Sequence, residues 1–131
     1  MNDPDITDAI IERLREQCDF ATLDNAWFAE PLERFGEETP ACLVYLAEDS
    51  ASGQAETLRP IQPVTMVYGV WLVCPEEQFK AKRGEIRRAL FGHTFGEAFD
   101  PMEYQAGKVA DIRGRFVWWR EFWTVDTRLR K

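Results

Sequence analysis

The run Val64-Thr65-Met66-Val67-Tyr68-Gly69-Val70-Trp71-Leu72-Val73, in the middle of the chain, sets the first constraint on the fold. Branched and aromatic side chains dominate it, and these fit a pleated, half-buried surface. Side chains alternate between the two faces of a strand. Both faces of this run are largely apolar, so both need cover, which predicts a central strand. Gly69 is expected to mark a bulge.

Other segments arrange themselves around that strand. Ala41-Cys42-Leu43-Val44-Tyr45-Leu46 is an apolar run bounded by Pro40 and by Glu48-Asp49, and it predicts a second covered strand. Tyr104 to Ile112 contains a weaker strand, Gly114 breaks it, and Arg115 to Val125 forms the last strong one. Trp27 and Phe28 suggest a short strand, and Glu30 to Pro40, rich in proline and glutamate, reads as loop. Glu48 to Pro60 is polar and small, with Ser50-Ala51-Ser52-Gly53 at its centre. It predicts a mobile loop closing a long hairpin.

Two helices complete the reading. Asp3-Pro4 is a helix start, with Asp as cap and Pro at the first helical position. Ile6, Ile10, Leu14 and Cys18 then recur every four residues, on one face of a helix running to about Gln17. Asp5 and Asp8 would lie in its first turn, where the helix dipole favours negative charge. Pro75-Glu76-Glu77 opens the second helix. Phe79, Ile86, Ala89 and Leu90 form its apolar stripe, Lys80, Lys82, Arg83, Arg87 and Arg88 its basic one, and Gly92 closes it. The expected class is α+β: a mainly antiparallel sheet with two α-helices packed on one face. The chain has 131 residues, and residues 1–131 are expected to form a single domain.

The charge balance narrows the function. The formal net charge is −7, from 23 acidic and 16 basic residues, which argues against a protein that grips phosphate. A negative wall would instead repel passing DNA. Cys18, Cys42 and Cys74 are too few and too spread to frame disulfides or a zinc site, and they predict reduced thiols in or near the core. No apolar run reaches the length of a membrane span, and the acidic N-terminus does not read as a signal peptide. Synthesis and use in a cytoplasm are expected.

Catalytic signals are weak. His93 is the sole histidine, without neighbours for a metal site or a Gly-x-Ser-x-Gly elbow. Glu30, Glu33, Glu37, Glu38, Glu48, Asp49, Glu76 and Glu77 lie in loops or first turns, where solvated acids are ordinary. No phosphate-binding glycine motif occurs, and no cofactor is expected.

Two features point to contacts between proteins. The basic stripe with Arg83, Arg87 and Arg88 could pair with acids of a neighbouring subunit. The run from Phe116 to Val125 puts Phe116, Trp118 and Phe122 on one strand face, with Arg120 between them. Val117, Trp119, Trp123 and Val125 share the other face, with Glu121 between them. One face can pack on the helices. The other would remain as an exposed aromatic patch of the kind that marks an interface, with Trp119 and Trp123 as candidates.

The second half resembles the phage tail terminator family. Ile86-Arg87-Arg88-Ala89-Leu90-Phe91-Gly92-His93 looks like the family's helix end, Ala-Leu-x-Gly-Trp, with His93 where Trp is frequent. Asp100-Pro101-Met102-Glu103-Tyr104-Gln105-Ala106-Gly107 looks like its Pro-Leu-x-Tyr-x-x-Gly stretch. Gly114 to Val125 looks like its closing strand, Gly-x-x-x-Trp-Trp-x-x-x-Phe-x-Thr, and Pro40 to Val44 resembles its first strand. The resemblance touches most of the chain from Ile6 to Arg128. It implies a tail-terminator-like fold and a structural, non-enzymatic role. Such proteins cap the head-proximal end of the tail tube as a homo-hexamer ring and stop its polymerisation. They then offer a surface to the head-side connector or stopper, while DNA passes through the lumen. The implied partners are the tail tube protein and that connector, with no membrane. The implied place is the neck of the virion, after assembly in the host cytoplasm. On this reading Glu48, Asp49, Ser50, Ser52, Gly53, Glu56 and Arg59 contact tube or connector. Arg83, Arg87 and Arg88 meet an acidic neighbour. A head–tail stopper or other neck protein is the nearest alternative, and a small cytosolic enzyme or ligand-binding module the more distant one.

Overall fold

The computed structural model describes residues 3–26 and 35–131. Among these, the elements in chain order are α1 (Thr7–Gln17), β1 (Thr22–Asn25), the single turn α2 (Phe35–Glu38), β2 (Ala41–Ala51) and β3 (Ile61–Pro75). A 3-10 turn (Glu76–Gln78), α3 (Phe79–Leu90), β4 (Glu103–Arg113) and β5 (Phe116–Arg130) follow. The expected strand at Trp27 and Phe28, and Glu30 and Glu33 of the expected loop, lie outside the described residues.

The five strands form one sheet in the order β1-β2-β3-β5-β4. β1 runs parallel to β2, and every other pair is antiparallel. The apolar run at Val64–Val73 is the central strand, as its two-sided pattern demands, and it pairs along its length with β5. α1 packs over β1 and β2, α3 packs over β3, and the two helices touch each other. The architecture is therefore α+β, with both helices on one face of the sheet.

Alternation decides what lies under the helices. Met66, Tyr68, Val70, Leu72 and Cys74 of β3 meet Cys42 and Val44 of β2 and Trp123 and Val125 of β5 in one core. Ile10, Ile11 and Leu14 of α1 and Ile86, Ala89 and Leu90 of α3 close it from above. Each such large side chain taken from water contributes roughly 1.5–3 kcal/mol.

Four expectations change on contact with the structure. First, α1 begins at Thr7 rather than at Asp3-Pro4. Asp3 accepts the Asp5 N–H at 2.9 Å, a turn that competes with helix. Asp5 accepts the Thr7 N–H at 2.9 Å and the Thr7 hydroxyl at 2.6 Å. The buried Tyr68 hydroxyl fixes this entry, accepting the Ile6 N–H at 2.9 Å and donating to Asp5 at 3.0 Å. Second, Gly69 is not a bulge: it pairs in register with Tyr45 and Phe122. A Cβ there would collide with the Tyr45 ring, so glycine admits that ring against the backbone. The irregularity lies across the sheet, between Leu46 and Glu48. Third, Glu48–Ala51 is strand, because it pairs with Val64–Val67. Fourth, Glu76 and Glu77 belong to a 3-10 turn ahead of α3 rather than to its first turn. Cys42 and Cys74 are core residues, whereas Cys18 is only half-buried at the end of α1. Gly92 follows α3 with φ +74, the left-handed conformation that glycine adopts freely.

Candidate assembly surfaces

The basic stripe of α3 does not stand as one solvated face. Glu121 of β5 points up beneath the helix and is 0% exposed. Its two carboxylate oxygens accept the indole N–H groups of Trp119 at 3.0 Å and Trp123 at 2.9 Å. Arg83 and Arg87, one helical turn apart, each place Nε 3.6 Å from the same carboxylate. The Arg83 guanidinium lies over the rings of Trp119 and Phe79, and that of Arg87 over Tyr104. These contacts suit arginine, whose planar group stacks on aromatic faces. Two cations thus share one buried anion; their side chains remain about one-third exposed, at 32% and 39%, while each Nε facing Glu121 is buried. Arg88 lies on another side of α3 and is exposed.

The aromatic run divides between faces as alternation requires. Trp119 and Trp123 point to the helix side. Trp123 is 1% exposed and stacks edge-on with Tyr104, so it is core of its own chain rather than an exposed interface residue. Trp119 is half-buried against Phe79, with ring centroids 5.3 Å apart. Gly107 of β4 lies under it, where a Cβ would come 2.5 Å from the Trp119 ring.

The opposite face carries the partly open aromatics. Arg120 lies between the rings of Trp71 and Phe122 at 4.9 and 5.1 Å, and it donates to the Tyr45 hydroxyl at 3.3 Å. Arg113 covers Trp118 in the same way. Tyr45, Trp71, Arg120 and Ala26 line a shallow hollow of about 300 Å³. The sequence placed Arg120 beside Phe122 on one strand face, but its contacts with Trp71 and Tyr45 were hidden, since these come from two other strands.

The β2–β3 hairpin carries the remaining predicted residues. Glu48, Asp49 and Ser50 are exposed strand residues, and Ser52, Gly53, Glu56 and Arg59 belong to the connection that follows. That connection holds itself together. Ser52 N–H donates to the Pro63 carbonyl at 3.0 Å, Glu56 N–H to that of Ile61 at 2.9 Å, and Gln62 to that of Gly53 at 3.1 Å. Glu56 and Arg59 form an exposed pair at 3.4 Å. At its tip Leu58 is 95% exposed. Sequence reading passed over Leu58, although a lone leucine in a polar loop was the available signal.

Chemistry-bearing groups stay apart. His93 stacks on Phe95 at 4.6 Å, and burial, helped by Arg13, lowers its pKa from 6.5. Among the described residues no group of three or more His, Cys, Asp or Glu is placed to hold a metal ion. No helix among them is long and apolar enough to cross a membrane. No curated protein matches the chain. The family model for the phage tail terminator protein matches residues 1–131. Such membership implies a structural part in a phage tail, in contact with other tail components. The chain belongs to the phage tail terminator family.

Proposed function

We propose that this chain caps the head-proximal end of the tail tube as a hexameric ring. There it stops tube polymerisation and offers the joining surface to the head-side connector, while DNA passes through the lumen without specific binding. The observation that carries this reading is the family match over the whole chain. Two features agree with it. The excess of acid over base would keep DNA from sticking to a lumen wall. The β2–β3 hairpin ends in an exposed polar connection, open to contact with a tube or connector subunit.

The test is deletion of the gene in its phage, with tails measured by electron microscopy and the intact chain supplied back from a plasmid. Overlong tails that return to normal length on complementation support the terminator role. Tails of normal length that fail to join heads would assign the chain to a stopper. Unaltered particles would remove it from the neck altogether.

A further inference from the structure

The two layers of this fold do not end at the same place. α1 covers β1 and β2, and α3 covers β3 and reaches β5 through Arg83 and Arg87. On that side the Arg87 guanidinium covers Tyr104 and the Trp119 ring covers Gly107, but among the described residues the half of β4 beyond Gly107 is left open. Val109 and Ile112, whose β5 partners Trp119 and Val117 face the helices, are 49% and 63% exposed. β4 is also the last strand of the sheet, and among the described residues no strand pairs with its outer edge. An edge strand of this kind is a template for association unless something covers it.

Charge separates the two ends of the sheet. Beside β4 stand Arg83 and Arg87, two cations on one buried carboxylate. Lys80 lies on the same flank of α3 by helical spacing and is exposed; on β4 itself the exposed Lys108 and Arg113 balance the exposed Glu103 and Asp111, so the excess of positive charge at this end comes from α3. At the other end the flank of α1 that faces away from α3 carries Asp8 and Glu12, with Arg15 as its cation, and β1 carries the exposed Asp24. One end is therefore rich in cations with bare apolar side chains, and the other is rich in acids.

We infer that the β4 end of one subunit packs against the α1–β1 end of a second copy of this chain, head to tail. Val109 and Ile112 become covered, and Arg83, Arg87 and Lys80 meet the acids of α1 and β1. Because the two surfaces are different and lie at opposite ends of one sheet, the contact repeats from copy to copy, and it makes the ring proposed above when the rotation between neighbours closes. This deepens the ring reading above and rests on it. It also relocates the contact earlier assigned to Arg83 and Arg87, which use their buried side on their own Glu121 and their outer side on the neighbour.

A charge swap on exposed positions tests it. One variant carries Lys80→Glu and Lys108→Glu, and the other carries Glu12→Lys and Asp24→Lys. Each full-length chain is examined alone and in equal mixture by native mass spectrometry and sedimentation velocity. Thermal melts check that both remain folded. Each variant alone is expected to associate at least tenfold more weakly than the unaltered chain. The mixture is expected to recover assemblies of strictly alternating composition, because only unlike neighbours then present opposite charges. Variants that associate like the unaltered chain, or a mixture that recovers nothing, would overturn the surface. So would an unaltered chain that stays monomeric at its highest soluble concentration. The number of copies judges the ring reading separately: swap-and-rescue in a ring of other than six would keep this surface and sink the hexamer.

Discussion

Replacing Glu121 with glutamine changes few atoms and tests the centre of the helix–sheet junction. The carboxylate accepts from two indole N–H groups, at 3.0 and 2.9 Å. A glutamine keeps one acceptor and turns its amide NH₂ toward the other indole donor. One charge-assisted hydrogen bond is lost, worth about 1.5–3 kcal/mol. Arg83 and Arg87 also lose their shared anion. Their side chains are about one-third exposed, so each pair at 3.6 Å is partly screened and contributes only about 0–1 kcal/mol. The sum is a destabilisation of about 1.5–5 kcal/mol. A chain of this size loses about 4 °C of melting temperature per kcal/mol, so a fall of roughly 6–20 °C is expected. The assay is a thermal melt followed by circular dichroism and by tryptophan emission, since Trp119 and Trp123 report on the site. A melting temperature within about 3 °C of the unaltered protein would refute the reasoning. It would mean that the carboxylate is replaceable and that packing alone seats the indoles. Adding Arg83→Met and Arg87→Met in a double-mutant cycle apportions the arginine share, with a coupling of no more than about 1 kcal/mol expected for each.

Gly107→Val places a branched side chain against the Trp119 ring and the Tyr104 hydroxyl, so urea unfolding should show a loss of about 1–3 kcal/mol. Leu58→Asp alters a fully exposed tip, so the melt should be unchanged while binding to purified tail tubes falls at least tenfold; equal binding would free the hairpin from that role. Burial pushes the Cys74 thiol from 9.0 up to about 11, and burial with the nearby Glu85 does the same to Cys18. Both should resist a thiol reagent near neutral pH in the folded chain and react at once in denaturant. Because these pKa values are raised by folding, the stability they carry is complete below pH 9 and is lost as pH rises through about 11. A pH-independent melt across that window would contradict it.

What was legible in the sequence was local. Periods of two and of nearly four residues identified β3, β5, α1 and α3, because a side chain's face is set by backbone geometry before any packing occurs. The class, the central place of β3, and Gly92 at the end of α3 follow from the same rules. The matched family, too, was visible in short packing motifs between Ile86 and Val125. The tertiary structure alone decided which side of each strand met the helices. Alternation puts Trp119 and Trp123 together without saying whether that face is covered, and the contact with α3 turned Trp123 from a candidate interface residue into core. The same holds for charge. Arg83, Arg87 and Arg88 look equivalent in a list of helix residues, yet two of them bend toward Glu121 thirty or more positions away and one does not. Only the fold sets the distance between residues far apart in the chain, and electrostatic and packing energies depend on that distance. Likewise Glu48–Ala51 is polar enough to read as loop, but hydrogen bonds to Val64–Val67 made it strand, since ladder pairing satisfies the backbone whatever the side chains are.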